Sequence, residues 1–190
     1  MGPSAREAIL AAARRVAQAH GYGGLNFREL ADEVGIKHAS IHYHFPSKAD
    51  LGAAVARRYW EDAAAGLDQM RVEMPDPLHC LSRYPETFRT ALETGNRMCL
   101  CSFMATEYDD LPEQVKQEVR TFADVNVAWL SGLLRDAGLA AADESEARAH
   151  AIFAAIAGAQ LIARSRSDLA LYDATIDTYR AAGLLPGKPG

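Results

Sequence analysis

The sequence lacks the features that mark several large classes of protein. It has no apolar run long enough to span a bilayer, and no charged stretch followed by an apolar one of the kind that directs secretion. Cysteine is scarce, with three among 190 residues, an odd number that fits neither a disulfide framework nor a metal site. We therefore expect a soluble cytoplasmic protein that has no membrane partner and needs no cofactor.

Signatures of catalysis are missing as well. The chain has no glycine-rich phosphate loop, no Ser-His-Asp order and no metal motif, and its acidic residues are spread along positions expected to face solvent. His38 and His42 lie one helical turn apart and are able to share a zinc ion, but no third ligand is evident. We expect no enzyme activity, no catalytic residue and no metal.

Charge is distributed unevenly along the chain. The formal net charge is −5, yet residues 1–50 carry +1 and residues 51–190 carry −6. Four of the six histidines also lie in the front segment, where a nearby phosphate would favour their protonation. If the protein binds nucleic acid, it does so at one end only, and the binding should be sensitive to salt.

The front segment contains a pattern typical of two short helices joined by a glycine turn. Asn26 is a good N-cap, Glu29 completes a capping box, and Gly35 suits the left-handed residue that ends a helix. Between them, one buried face is predicted by the spacing of Phe27, Leu30, Ala31 and Val34.

The second of these helices should expose donors, rings and a cation, and no carboxylate. Ala39 and Ile41 supply small or apolar contacts, and the outward side chains are Lys37, His38, Ser40, His42, Tyr43 and His44. Such a surface suits the major groove of DNA, where base edges are read by hydrogen bonds and phosphates are held by cations. The alternative is an ordinary helical hairpin that binds nothing.

The pattern Leu30-Ala31-x-x-Val34-Gly35-Ile36-x-x-x-Ser40-Ile41-x-Tyr43-His44-Phe45-x-Ser47-Lys48-x-x-Leu51 resembles the DNA-binding signature of the tetracycline-repressor (TetR) family of bacterial transcriptional regulators. It departs from that signature at Asn26, often Thr, which caps equally well, and at His42, often Tyr, which puts that base contact in doubt. The resemblance implies that DNA is contacted by Arg28, Lys37, His38, Ala39, Ser40, His42, Tyr43, His44 and Lys48.

The expected architecture is all-α, with about nine helices. Residues 1–46 form a three-helix helix-turn-helix DNA-binding domain, and residues 47–190 form a helical domain for effector binding and dimerisation. Beyond the front segment, we predict helices over about 47–70, 76–92 with a kink at Pro85, 98–108, 112–137, 143–166 and 168–182. The resemblance implies a homodimer through the last two long helices; the alternative is that these helices only close the core of one chain.

An effector pocket is harder to recognise. Aromatic, Met and amide side chains concentrate on three successive predicted helices, at Tyr84, Phe88, Met98, Phe103, Met104, Phe122, Asn126 and Trp129. They are candidates for lining a small-molecule pocket, although each is equally suited to an ordinary core. Asn126 interrupts an apolar stripe, so it either ties a neighbouring helix or faces a cavity.

Two cysteines suggest a different trigger. Cys99 and Cys101 point to different faces of a helix and cannot readily bridge each other, but one of them is a candidate for a reactive thiolate. The alternative is that both are buried and inert.

The sequence thus favours a DNA-binding regulator, a repressor released from a palindromic operator by a small-molecule effector. Two other functions stay open: a repressor switched by cysteine oxidation or alkylation, and a helical ligand-binding protein without DNA function.

Overall fold

The structure, a computed structural model, describes residues 4–187, which form helices and no β-strand, so the predicted all-α fold is confirmed. The ends of the two predicted domains, residues 1–3 and 188–190, lie outside the described residues. The helices are α1 Ala5–His20, α2 Phe27–Val34, α3 His38–His44, α4 Lys48–Glu73, α5 Pro77–Arg83, α6 Glu86–Glu93, α7 Leu100–Ala105, a 3-10 helix Tyr108–Asp110, α8 Glu113–Asp136, α9 Ser145–Arg166 and α10 Leu169–Ala181. Within this part of the chain, no helix is both long and apolar enough to cross a membrane.

The segment around Pro85 is interrupted more strongly than the sequence predicted. In place of one kinked helix, α5 ends at Arg83 and α6 begins at Glu86. Proline has no amide hydrogen and clashes with the preceding turn of a helix, so the regular hydrogen-bonding pattern stops there. If this pair is counted as one broken helix, the described chain contains nine α-helices, as predicted.

Capping side chains mark several of the helix starts. The side-chain oxygens of Ser4, Asn26, Asp76 and Asp168 each accept a hydrogen bond from an amide in the following first turn, at 2.9–3.3 Å. These bonds satisfy amides that have no partner within the helix, and they fix where each helix begins. Of these caps, the one at Asn26 was predicted from the sequence.

The described chain divides into two packed units. The first contains the residues up to 62 together with 100–122, and the second contains 63–99 together with the residues from 123 onward. This division describes packing; the predicted functional domains, 1–46 and 47–190, stay a prediction.

In the first unit, α1 packs against α2, α3 and α7. Ile9 on α1, Leu30 on α2 and Ile41 on α3 are all at most 1% exposed, and together they anchor the three helices to one another. In the second unit, α9 packs against α6 and α10. Its core includes Leu81, Tyr84, Leu130, Ile152 and Tyr172.

Candidate nucleic-acid interface

The turn between α2 and α3 has the geometry that its sequence predicted. Gly35 adopts the left-handed conformation with φ 74° and ψ 34°, and the amides of Gly35 and Ile36 donate to carbonyls of the last turn of α2. Ile41 is fully buried beneath α3. The turn and this anchor therefore hold α3 with its opposite face toward solvent.

That exposed face carries most of the predicted contact residues. Lys37, His38, Ala39, His42 and Tyr43 are exposed, whereas Ser40 and His44 are half-buried. Tyr43 is 85% exposed, which is high for an aromatic side chain. No carboxylate occurs on α3, so the face suits an anionic partner.

The rings on this face contact one another. His42 lies 4.8 Å from the ring centroid of Phe27 and 4.9 Å from that of His38, while Tyr43 and His44 are 5.1 Å apart. Phe27, the first residue of α2, is half-buried and lies beneath His42. The departure at His42 is thus accommodated as part of an aromatic cluster.

Two predicted cations on this side of the first unit are available to a ligand. Arg28 and Lys37 are exposed, and neither makes an ion pair with any residue between 4 and 187. By contrast, Arg14 pairs with Asp62 at 2.8 Å and Arg15 pairs with Glu33 at 2.6 Å. The charges on α1 are therefore neutralised within the protein.

Lys48 begins α4 and is half-buried. Its ammonium donates to the carbonyl oxygen of Gly23 at 2.9 Å and lies 4.8 Å from the centroid of the Tyr22 ring. Beside it, Ser47 and Asp50 cap each other's amides at 3.0–3.1 Å and so form a capping box. An ammonium has three donors, so the bond to Gly23 leaves capacity for a phosphate.

Sequence reasoning missed Glu107. Its carboxylate accepts hydrogen bonds from the amides of Tyr22 at 2.6 Å and Gly23 at 2.9 Å, and so holds the loop between α1 and α2. These partners lie more than eighty residues away along the chain, and an acidic residue followed by two more gives no local signal. The glycine-rich stretch Gly21-Tyr22-Gly23-Gly24 was the only hint.

A second missed carboxylate braces α4. Glu118 accepts from Nε of Arg57 at 3.0 Å and from Nε1 of Trp60 at 2.8 Å. Burial alone raises the pKa of Glu118, but these hydrogen bonds and the charge of Arg57 outweigh it, so its pKa is lowered. The carboxylate therefore stays ionised and joins α4 to α8 within the first unit.

The predicted pocket residues fall into both units. In the second, the Tyr84 hydroxyl donates to Oδ1 of Asn126 at 2.8 Å, Tyr84 stacks on Trp129 at 5.7 Å, and Phe88 lies 5.9 Å from Tyr84. The side chain of Asn126 is thus hydrogen-bonded within the protein, to a residue on a neighbouring segment. Trp129 Nε1 is buried and meets no acceptor in the described chain.

The other predicted pocket residues are also mostly interior. Met98 is buried in the second unit; in the first unit Met104 is fully buried, Phe122 packs on Tyr59 at 5.6 Å, and Phe103 is half-buried. Two open cavities of the second unit have other linings: one of about 390 Å³ lies against α8 and α9, and one of about 290 Å³ lies against α6 and α10. An effector pocket at the predicted residues stays a prediction.

All three thiols are buried. Cys80, Cys99 and Cys101 are at most 2% exposed. Burial raises the pKa of the Cys80 thiol, which donates to the carbonyl oxygen of Met74 at 3.0 Å. Across residues 4–187, no group of three or more His, Cys, Asp or Glu side chains is placed to hold a metal ion.

The chain is similar to known regulatory proteins. The family model described as bacterial regulatory proteins, tetR family, matches residues 9–55, which include α2 and α3. AcnR of Corynebacterium diphtheriae, an HTH-type transcriptional repressor, is 44% identical over 59 residues, or 31% of this chain and 30% of that protein. FasR of Mycolicibacterium smegmatis, an HTH-type transcriptional activator, is 29% identical over 139 residues, or 72% of this chain and 62% of that protein.

This chain therefore spans less than two thirds of either curated relative. A solved structure gives a fuller match. The crystal structure of a transcriptional regulator of the TetR family from Agrobacterium tumefaciens is 30% identical, covers 93% of this chain and 96% of its own, and superimposes with a TM-score of 0.86.

Proposed function

Since this chain belongs to the TetR family of bacterial regulatory proteins, we propose that it binds double-stranded DNA through α3 and represses transcription from a palindromic operator in the cytoplasm. The observation that carries the proposal is the exposed face of α3, which presents Lys37, His38, His42 and Tyr43 and no carboxylate. An aromatic ring as exposed as Tyr43 gains by burial against sugar or a thymine methyl.

Within this face, we assign different roles to different contacts. Lys48, Lys37 and Arg28 hold phosphates and fix the register of the protein on the duplex. His38, His42 and Ser40 are assigned to base edges, Ala39 to apolar contact in the groove, and Tyr43 and His44 to bases or adjacent phosphates.

The proposed operator-bound form is a homodimer. Support comes from α9, whose Leu161 and Ile162 are 45% and 53% exposed, beside the small exposed residues Ala151, Ala154 and Gly158. Small residues let a second helix approach closely, and exposed Leu and Ile gain by being covered. Two reading helices then meet half-sites one turn of DNA apart.

We also propose that a small-molecule effector releases the DNA, by stabilising a conformation whose reading helices no longer fit adjacent half-sites. The buried Nε1 of Trp129, which meets no acceptor in the described chain and lies on a ring stacked against Tyr84, supports an interior site for such a molecule. A compound library screened for release of labelled operator tests this step, with a thermal shift of the DNA-free protein as the check on direct binding.

The DNA-binding proposal is tested by selecting bound duplexes from a random pool, first with the parent protein and then with a Tyr43→Ala, Lys48→Ala double variant. We expect an inverted repeat that only the parent enriches. Val72→Ala is the matched control, because Val72 is also an exposed large side chain, at 74%, but lies near the end of α4. No enriched sequence at low salt would refute DNA binding.

Dimer formation is tested by sedimentation of Leu161→Asp, with Val72→Asp as the control for adding a charge at an exposed apolar position. We expect the first variant to sediment as a monomer and to lose operator affinity. A dimer unaffected by Leu161→Asp would contradict the proposed interface. Repression is then tested with a reporter gene behind the selected operator, where an activator would raise expression.

A further inference from the structure

The loop between α1 and α2 is held from two sides, by a carboxylate at its amides and by an ammonium at one of its carbonyls. We propose that Glu107 is a positioning residue for DNA binding, which fixes this loop so that Lys48 is presented to a phosphate of the operator. The inference rests on the proposed function, because it acts through the phosphate contact assigned to Lys48.

On one side of the loop, two successive amides converge on the carboxylate of Glu107. Oε2 of Glu107 accepts from Tyr22 at 2.6 Å, and Oε1 accepts from Gly23 at 2.9 Å. Consecutive amides that point into one concavity form an anion-binding nest, and a carboxylate that fills it is held more strongly than a neutral acceptor. The loop conformation therefore depends on Glu107.

The glycines make room for this carboxylate. A Cβ atom added at Gly21, where φ is +70°, would lie 2.2 Å from Oε2 of Glu107, and one added at Gly23 would lie 3.0 Å from Oε1. A Cβ at Gly52 on α4 would lie 2.6 Å from the Tyr22 ring. The loop thus fits closely between Glu107 and the first turns of α4.

On the other side of the loop, Gly23 also contacts the ammonium of Lys48. Gly23 donates its amide to Glu107 and accepts the Lys48 ammonium on its carbonyl oxygen at 2.9 Å, while the Tyr22 ring lies 4.8 Å from that ammonium. If Glu107 no longer holds the amides, both groups that fix the ammonium are released. Holding a long, flexible lysine in place before DNA arrives lowers the entropy cost of the phosphate contact.

The test is a double-mutant cycle measured as operator affinity against salt concentration. Glu107→Gln keeps the shape of the side chain but removes its charge and one acceptor; Glu107→Ala removes it altogether. Both are made in the parent and in Lys48→Ala. Asp109→Asn is the matched control, because Asp109 is an exposed carboxylate two residues further along the chain.

We expect Lys48→Ala to weaken binding roughly tenfold and to lower the salt slope, the change of log K with log salt, by about 0.9 per protomer. Glu107→Gln should weaken binding about threefold or more and lower the slope in the same direction, with no further effect in the Lys48→Ala background. Asp109→Asn should change neither slope nor affinity beyond the small gain from losing a negative charge.

Other results would overturn the inference. If Glu107→Gln weakens binding by the same factor in both backgrounds, or leaves the salt slope unchanged, Glu107 is merely structural and the inference is overturned. If Lys48→Ala has no effect on the parent, the inference falls together with the phosphate contact of Lys48. If the parent enriches no DNA sequence, the proposed function itself has failed. Thermal melts of each variant confirm that it is folded under the binding conditions.

Discussion

The buried hydrogen bond between Tyr84 and Asn126 should contribute measurably to the stability of the protein. Tyr84 is fully buried and Asn126 is 3% exposed, so neither group can turn to water when its partner is removed. Tyr84→Phe deletes the hydroxyl that donates to Oδ1 of Asn126 and leaves that oxygen without this donor. The change in volume is small, so the expected cost is that of a lost buried hydrogen bond, about 1–3 kcal/mol in the free energy of unfolding.

The measurement is urea or thermal unfolding followed by circular dichroism. For a chain of this length, a loss of about 2 kcal/mol lowers the melting temperature by about 4–8 °C. Tyr108→Phe is the matched control: Tyr108 is 47% exposed and its hydroxyl accepts only a surface hydrogen bond from Arg120, at 3.2 Å. We expect that variant to lose less than about 0.5 kcal/mol.

A double-mutant cycle with Asn126→Ala separates the bond from the effects of either side chain alone. Its coupling energy should lie between about 0.5 and 3 kcal/mol. A loss no larger than that of the control, or a coupling energy near zero, would refute the view that Asn126 is an internal tie.

Three further predictions concern other parts of the chain. Glu118→Gln should lower the free energy of unfolding at pH 7 by about 1 kcal/mol, because it weakens the hydrogen bonds from Arg57. Since the pKa of Glu118 is lowered in the native protein, the parent loses this stabilisation as pH falls through that pKa. The parent and the variant should therefore unfold alike in acid. A pH series of urea midpoints checks this, and a constant difference down to acid pH would contradict it. Gly35→Ala should lower the free energy of unfolding by about 1 kcal/mol, measured by thermal unfolding, because φ is +74° at this position. A Cβ atom there would find open space, so only backbone strain contributes to the loss. An unchanged melting temperature would count against the turn geometry. Thiol reagents should label Cys99 and Cys101 only as fast as the native protein opens, because both are buried, and rapid labelling that releases DNA would favour the cysteine switch.

The parts of the structure that the sequence predicted are those set by neighbours along the chain. Asn26 caps α2 because its side chain reaches amides two or three residues away, and Gly35 ends α2 because that residue alone must be left-handed. Each of these signals lies within one helical turn of its effect, so the pattern of residues is enough to find it.

The parts that the sequence did not predict depend on distant partners or on competing local effects. Glu107 meets Tyr22 and Glu118 meets Trp60 across more than fifty residues, and nothing near either carboxylate in the sequence indicates where it points. At Pro85 the sequence did locate the interruption, but whether a helix bends or stops there depends on how the two segments pack.

Among the contact residues predicted to face outward, Lys37, His38, His42 and Tyr43 are exposed, whereas Ser40 and His44 are half-buried. The spacing of α3 identified its outward face, and Tyr43 is indeed highly exposed. It did not reveal that Lys48 is already engaged by Gly23, because that bond depends on the conformation of a loop twenty-five residues earlier. The roles of these side chains on DNA stay predictions.

The most direct test of α3 as the reading helix is a change in the sequence that the protein prefers. The selection from a random DNA pool is run with His42→Ala beside the parent and beside Lys48→Ala. A side chain that meets base edges should relax the preference at one or two base pairs in each half-site, whereas loss of a phosphate contact should weaken binding to all sequences alike. We predict that His42→Ala changes the preferred bases and that Lys48→Ala does not; identical base preferences for all three proteins would contradict the account.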